Sequence, residues 1–346
     1  MKYAFLLLQA VVLVAGHALS AEPRDKDDED ARRVISRALP YVQSKGQEWI
    51  DDRGCVSCHQ VPSMLWGLHL AARQGWDIDS KKLAELSEWS VDWRHWNQSG
   101  ESQGQKMVAA VNIATMAFLI LAMNPDGASP DLKGETDARR LNKDWINEFR
   151  AQLLEHQQQD GSWKAGGQLP LSKRPAREND EVTTLWVLLA LKETYADPAS
   201  EAALSKAREE ATAFIQLAPH AGQSTEWHAV QCLLHPKDEA LHATLLSLQH
   251  LDGSWGWLAK EPGDAFGTGL ALYALSRTGT KTPEVKNAAT KALNFLRQTQ
   301  LDDGSWSVPS TRGRDPNKAI PTSNYWGTAW AMTGMLEWEA RQNSAP

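Results

Sequence analysis

Cys55-Val56-Ser57-Cys58-His59 is the segment whose residue types and spacing carry the most chemistry. Two thiols three residues apart, followed at once by an imidazole, can share one face of a single helical turn. That presentation suits a porphyrin: two thioether bonds fix the macrocycle, and the imidazole supplies an axial nitrogen to its iron. The expectation is therefore a covalent haem c on Cys55 and Cys58, with His59 as axial ligand of the iron. A Cys55–Cys58 disulfide with His59 incidental is the competing reading. Zinc is disfavoured, because it takes four ligands and no second cysteine pair exists. Cys232 lies in an apolar stretch and reads as a buried free thiol.

A ligand on the opposite face of such a porphyrin must come from elsewhere, since Met64 and His69 follow too closely along the same helix. Met107 is the candidate, with His95 and Met116 as alternatives, and plain packing competes for each.

The elements that must position these groups show in a repeat. Gln157-Gln158-Gln159-Asp160-Gly161-Ser162-Trp163, Gln249-His250-Leu251-Asp252-Gly253-Ser254-Trp255 and Gln300-Leu301-Asp302-Asp303-Gly304-Ser305-Trp306 share one pattern. Each follows a stretch with helical spacing and precedes another, so each marks a helix-loop-helix corner in which Gly makes the turn and Trp plugs the gap. A worn copy spans Tyr41 to Trp49.

With these corners as register, six apolar or small-residue inner helices are expected over about 55–73, 107–123, 181–195, 225–235, 264–276 and 325–341. Six amphipathic outer helices precede them, near 31–52, 80–97, 137–157, 200–217, 238–249 and 282–298. Strand patterns are scarce. The fold class is all-α, an (α/α)6 toroid in which each hairpin buries its apolar face on its neighbours.

Composition agrees. The 346 residues, 42% hydrophobic, suffice for a large core. A balance of 36 Lys+Arg against 43 Asp+Glu, net −7, offers no electrostatic case for nucleic acid or an anionic membrane. Sixteen tryptophans against five tyrosines point to a recurring Trp position. Residues 1–20 have the charged start and short apolar run of a secretory signal, 21–30 a charged leader, and 31–342 the toroid, with no membrane span after cleavage. A secreted or periplasmic location is expected.

The chain resembles the α/α-toroid proteins of the terpenoid cyclase and protein prenyltransferase group, in particular the glutamine-tryptophan repeat of squalene-hopene cyclases. Lys291-Ala292-Leu293-Asn294-Phe295 leading to Gln300, Gly304 and Trp306 carries that resemblance almost throughout, and the other two copies keep its latter half. The resemblance implies a proton-donating Asp-x-Asp-Asp motif at the start of an inner helix. Glu178-Asn179-Asp180-Glu181 occupies about that position without the Asp pair, so Glu178, Asp180 and Glu181 are candidate catalytic residues beside a capping role. Asn112, Glu226, Asp264 and Asn324 open other inner helices, where capping also explains them. The zinc set of the prenyltransferases has no counterpart.

Full cyclases of that group join two helical domains, whereas one toroid fills this chain. Toroid lyases and hydrolases of polysaccharides fit export better; His156, His228, His235, Arg312 and Arg314 are their conceivable acid, base or carboxylate-binding groups, ungrouped in sequence. The leading expectation is an exported monohaem protein with an electron-transfer or haem-dependent redox role and an exported redox partner. The alternatives are a toroid enzyme acting on a terpenoid, other hydrophobic or polysaccharide substrate, with Cys55 and Cys58 structural, and a toroid that only docks another protein.

Overall fold

The computed structural model describes residues 26–56, 60–96, 105–123, 144–166, 173–192, 198–218, 221–310, 315 and 317–343. Thirteen α-helices and one 3-10 turn (Trp93–His95) run through them, with only isolated bridges in place of strands among the described residues. Outer α1 (Lys26–Arg53) leads to inner α2 (Gln60–Arg73), and outer α3 (Ser80–Val91) to inner α4 (Gln105–Ala110) and α5 (Ile113–Met123). Then come α6 (Asp144–Glu155) with α7 (Ala176–Lys192), and α8 (Pro198–Gln216) with α9 (Thr225–Leu234). The last pairs are α10 (Glu239–Ser247) with α11 (Ala265–Arg277), and α12 (Pro283–Thr299) with α13 (Pro321–Asn343).

The second inner helix, expected unbroken, is two pieces. The chain turns at Val111 and Asn112, where the Asn112 Nδ2 donates to the Val108 carbonyl at 2.9 Å and so competes with the helical ladder.

Helix character follows residue pattern. Every residue of α5 from Ile113 to Ala122 and of α11 from Ala265 to Ser276 is buried, as befits helices enclosed on all sides. By contrast, α12 buries one stripe, Val285, Ala288, Ala289, Ala292 and Leu296, and turns its charges outward. Inner helices pack in the cyclic order α2, α5, α7, α9, α11, α13 and back to α2. The fold is an α/α toroid.

The repeated corners are small machines with the same parts. Asp160, Asp252 and Asp303 each accept from the backbone N–H and the hydroxyl of the Ser two residues on, which fixes the turn. Gly161, Gly253 and Gly304 sit at φ +85, +90 and +84, the left-handed region that glycine enters without a steric cost. Trp163, Trp255 and Trp306 are fully buried, and each donates its indole N–H to a carbonyl ten residues earlier, that of Leu153, Leu245 or Leu296. Gln157 and Gln249 donate to their own turn and to the next outer helix, at Ala207 and Ala288.

Among the described residues no helix is long and apolar enough to cross a membrane.

Candidate active site at the mouth of the ring

All six inner helices start toward one end of the ring, and the repeat dictates what stands there. The Trp163, Trp255 and Trp306 backbone N–H groups donate to Thr184, Thr268 and Thr328 hydroxyls. Four residues before each Thr stand Asp180, Asp264 and Asn324, which accept from the backbone N–H of Ala165, Trp257 and Val308. These three positions are equivalent, and an amide serves at one of them. Asp180 is thus a corner latch, further tied to Lys164 at 2.7 Å. Asp264 is the latch most deprived of water, and burial pushes its carboxyl up to about 6.

The other two expected carboxylates are also fully engaged. Glu178 accepts from the Gln223 and Ser224 backbone N–H groups at 3.0 and 2.8 Å and from the Ser224 hydroxyl at 2.6 Å, binding the N-terminal approach of α9. Glu181, raised by burial, accepts from Arg177 Nε at 2.8 Å and Trp227 Nε1 at 3.1 Å. None of the three is presented as a free acid.

What the ring brings together is a different set. Trp66, Phe118, Trp186, Tyr273 and Trp330 come from α2, α5, α7, α11 and α13, and all are buried. Trp66 meets the other four at centroid distances of 5.2–6.2 Å, mostly edge to face. Such pairs are worth ~0.5–1.5 kcal/mol each beyond area burial. Trp186 then donates its indole N–H to Glu226 Oε1 at 2.8 Å. The other oxygen of Glu226 accepts from Arg174 Nη1 at 2.8 Å, in an ion pair with side chains 0% and 2% exposed. Arg174 Nε donates to Asn179, while its Nη2 finds no hydrogen-bond partner among the described residues.

The neighbouring Lys173 ties this segment across the mouth, to Glu261 ahead of α11 at 2.7 Å and to Asn317 ahead of α13 at 3.2 Å. A second aromatic group, Trp257 stacked on Phe266 with Trp326 against both, lines the same end. Sequence reasoning placed Glu226 only as a helix starter and missed Arg174. The tryptophan excess was the available signal, but it does not say which rings reach the axis.

The remaining sequence candidates scatter. Cys58, His59, Arg312 and Arg314 lie outside the described residues, as do the side chain of Met107 and residues 1–25. Cys55 itself is not helical: α1 ends at Arg53 and Gly54 turns at φ +56, while the described part of α2 runs from Gln60. Burial raises the Cys55 thiol, which faces the Trp96 carbonyl at 3.9 Å. Cys232 is buried and pushed up to about 12, as expected of an inert thiol. Met116 is core, and His95 is stacked on Trp89 with its Nδ1 on the Trp89 carbonyl. His228, lowered by burial, bonds the Gly222 carbonyl. Among the described residues no three His, Cys, Asp or Glu side chains gather as a metal-binding group.

The sequence matches no protein-family model and no curated protein. Solved structures do share its fold. A polysaccharide lyase aligns at a TM-score of 0.60 and 10% identity, over 93% of this chain and 99% of that one. The type II terpene cyclase MstE from Scytonema aligns at 0.50 and 15% identity, over 91% and 99%, and a protein from Actinoplanes at 0.50 and 13%, over 90% and 99%.

These findings correct the expected role. The chain was expected to be an exported monohaem protein for electron transfer or haem-dependent redox chemistry, with the toroid as a holder. Instead nearly its whole length coincides with toroids that include a lyase and a cyclase, and Cys55 lies in the non-helical stretch just past α1.

Proposed function

We propose that the protein is an enzyme that receives a hydrophobic substrate of the terpenoid class at the mouth of the ring and stabilises positive charge developing on it. One observation carries the reading: Trp186 joins the aromatic axis through its ring and the buried Glu226 through its indole N–H, at 2.8 Å. Aromatic faces attract a cation, and a carboxylate in a water-poor site does so more strongly. Arg174 holds Glu226 in place and keeps a spare N–H for a polar end of the substrate.

The apolar character of the axis favours this substrate class over sugars. The five rings turn edges into one another and are buried, the kind of aromatic lining with few polar groups that suits an apolar ligand. A substrate therefore occupies the layer of Trp257, Phe266 and Trp326 and parts the rings beneath as it enters.

The test is incubation of the purified protein with linear polyprenyl substrates of graded length, with product analysis by gas chromatography and mass spectrometry. Rearranged or cyclised product that disappears in Glu226→Gln supports the reading. Turnover of an acidic polysaccharide and of no polyprenyl compound replaces it with the sugar alternative.

A further inference from the structure

The hairpins α6–α7 and α10–α11 are plugged by Trp163 and Trp255, but the corner of the hairpin between them carries no repeat Trp. Its corner reads Gln216-Leu217-Ala218-Pro219-His220-Ala221-Gly222-Gln223, with no Asp-Gly-Ser-Trp. Where the indole is missing, a cavity of about 470 Å³ opens among α7, α8 and α9. That size falls within the ~300–1,000 Å³ usual for ligand sites.

The cavity has two unlike ends. Leu185, Leu188, Ile215 and Leu234 make apolar walls, and Trp227 closes the side toward the start of α9. At the far side, where α7 and α9 finish, stand Lys192, Arg208 and His235. Lys192 Nζ donates to the Leu234 carbonyl at 3.1 Å, and Arg208 Nη1 to the Leu191 carbonyl at 2.9 Å, so both cations are gathered at these helix ends. Arg208 also pairs with Glu201, and among the described residues that line the cavity there is no carboxylate. Both cations keep further N–H groups for a ligand.

We propose that this unplugged corner is a binding site for a single-chain amphiphile with an anionic head, a long-chain carboxylate. Its head lies by Lys192 and Arg208, and its tail runs along Leu188 and Ile215 toward Trp227. The site is separate from the mouth of the ring, so it stands or falls independently of the proposed reaction.

Isothermal titration of the full chain with dodecanoate and with dodecanol tests it. Dodecanoate is expected to bind saturably, one per chain. Lys192→Gln/Arg208→Gln weakens dodecanoate by roughly tenfold or more, as loss of charge-assisted bonds worth more than ~1.4 kcal/mol requires, and leaves dodecanol unchanged. Leu188→Trp refills the gap as the repeat does elsewhere and removes binding of both. Ala221→Trp at the exposed rim is a second filling variant, which keeps the test decisive if Leu188→Trp does not fold. The proposal is overturned by absence of saturable binding to the unaltered protein, by undiminished binding to a folded filled variant, or by equal losses for acid and alcohol in the charge variant.

Discussion

Gln300 on the last repeat corner donates its Nε2 to the carbonyl of Val34, 266 residues earlier, at 2.9 Å. The same amide bonds its own turn at Gly304, as Gln157 and Gln249 do at theirs. What differs is the partner: theirs is the next outer helix along the chain, whereas that of Gln300 is α1. This bond is part of the seam, with α13 packed on α1 and α2, that makes a row of hairpins a ring.

Cutting the seam should differ from cutting a corner. Gln300→Ala and Gln249→Ala each remove the side-chain donor from two carbonyls and should cost about 1–3 kcal/mol in urea unfolding. Amide exchange separates them: faster exchange in α1 is expected for Gln300→Ala alone. Equal α1 protection in both variants would remove the seam from the account.

Two glycines at similar φ provide a matched pair. Gly279 (φ +70) has open space where a Cβ would go, so Gly279→Ala should cost only the ~1–2 kcal/mol of a left-handed alanine. At Gly304 (φ +84) the Cβ would run into the Arg37 carbonyl of α1, and the corner must leave α1 to make room. Gly304→Ala should therefore lose clearly more stability than Gly279→Ala in the same urea series.

The Arg174–Glu226 pair predicts non-additivity. Arg174→Met or Glu226→Gln alone strands the partner's charge in the interior and should cost about 3–5 kcal/mol, whereas the double variant should lose less than the sum of the two. Simple additivity in this cycle would mean that the two groups do not act together. Loss of turnover in Glu226→Gln beyond what its remaining folded fraction explains would tie the pair to the reaction.

Two buried groups should tilt stability in opposite senses with pH. Burial, helped by Arg73, lowers His69 from 6.5 to about 3, so its contribution is whole above pH 6.5 and is lost as pH falls toward 3. Burial raises Asp264 from 3.8 to about 6, so its contribution is whole below pH 3.8 and is lost as pH rises through 6. His69→Gln should flatten the acid side of a plot of urea midpoint against pH. Asp264→Asn should flatten the decline between about pH 4 and 6, with some general loss because one of the two backbone N–H groups on this carboxylate, Trp257 or Gly267, loses its acceptor.

Much of the ring was legible along the chain. Corner residues announce themselves because their work is local: Asp303 reaches Ser305 two positions on, and Trp306 reaches Leu296 ten positions back. Inner and outer helices separate by pattern, as the all-apolar run of α5 and the one-sided stripe of α12 show. At Cys55-Val56-Ser57-Cys58-His59 spacing suggested a shared helical turn; Cys55 itself lies past the end of α1 at Arg53 and the turn at Gly54, and residues 57–59 are outside the described ones.

Short-range spacing thus determined by itself most of the helices, their alternation and the corners, since each depends on contacts within about one hairpin, and their repetition pointed to the toroid. Only the tertiary structure decided which rings meet at the axis, that Trp186 bonds Glu226 from 40 positions away, and that Arg174 reaches Glu226 across 52. Those contacts join side chains on elements whose separation the local pattern does not encode. Closure of the ring, not any motif, sets the distance between them.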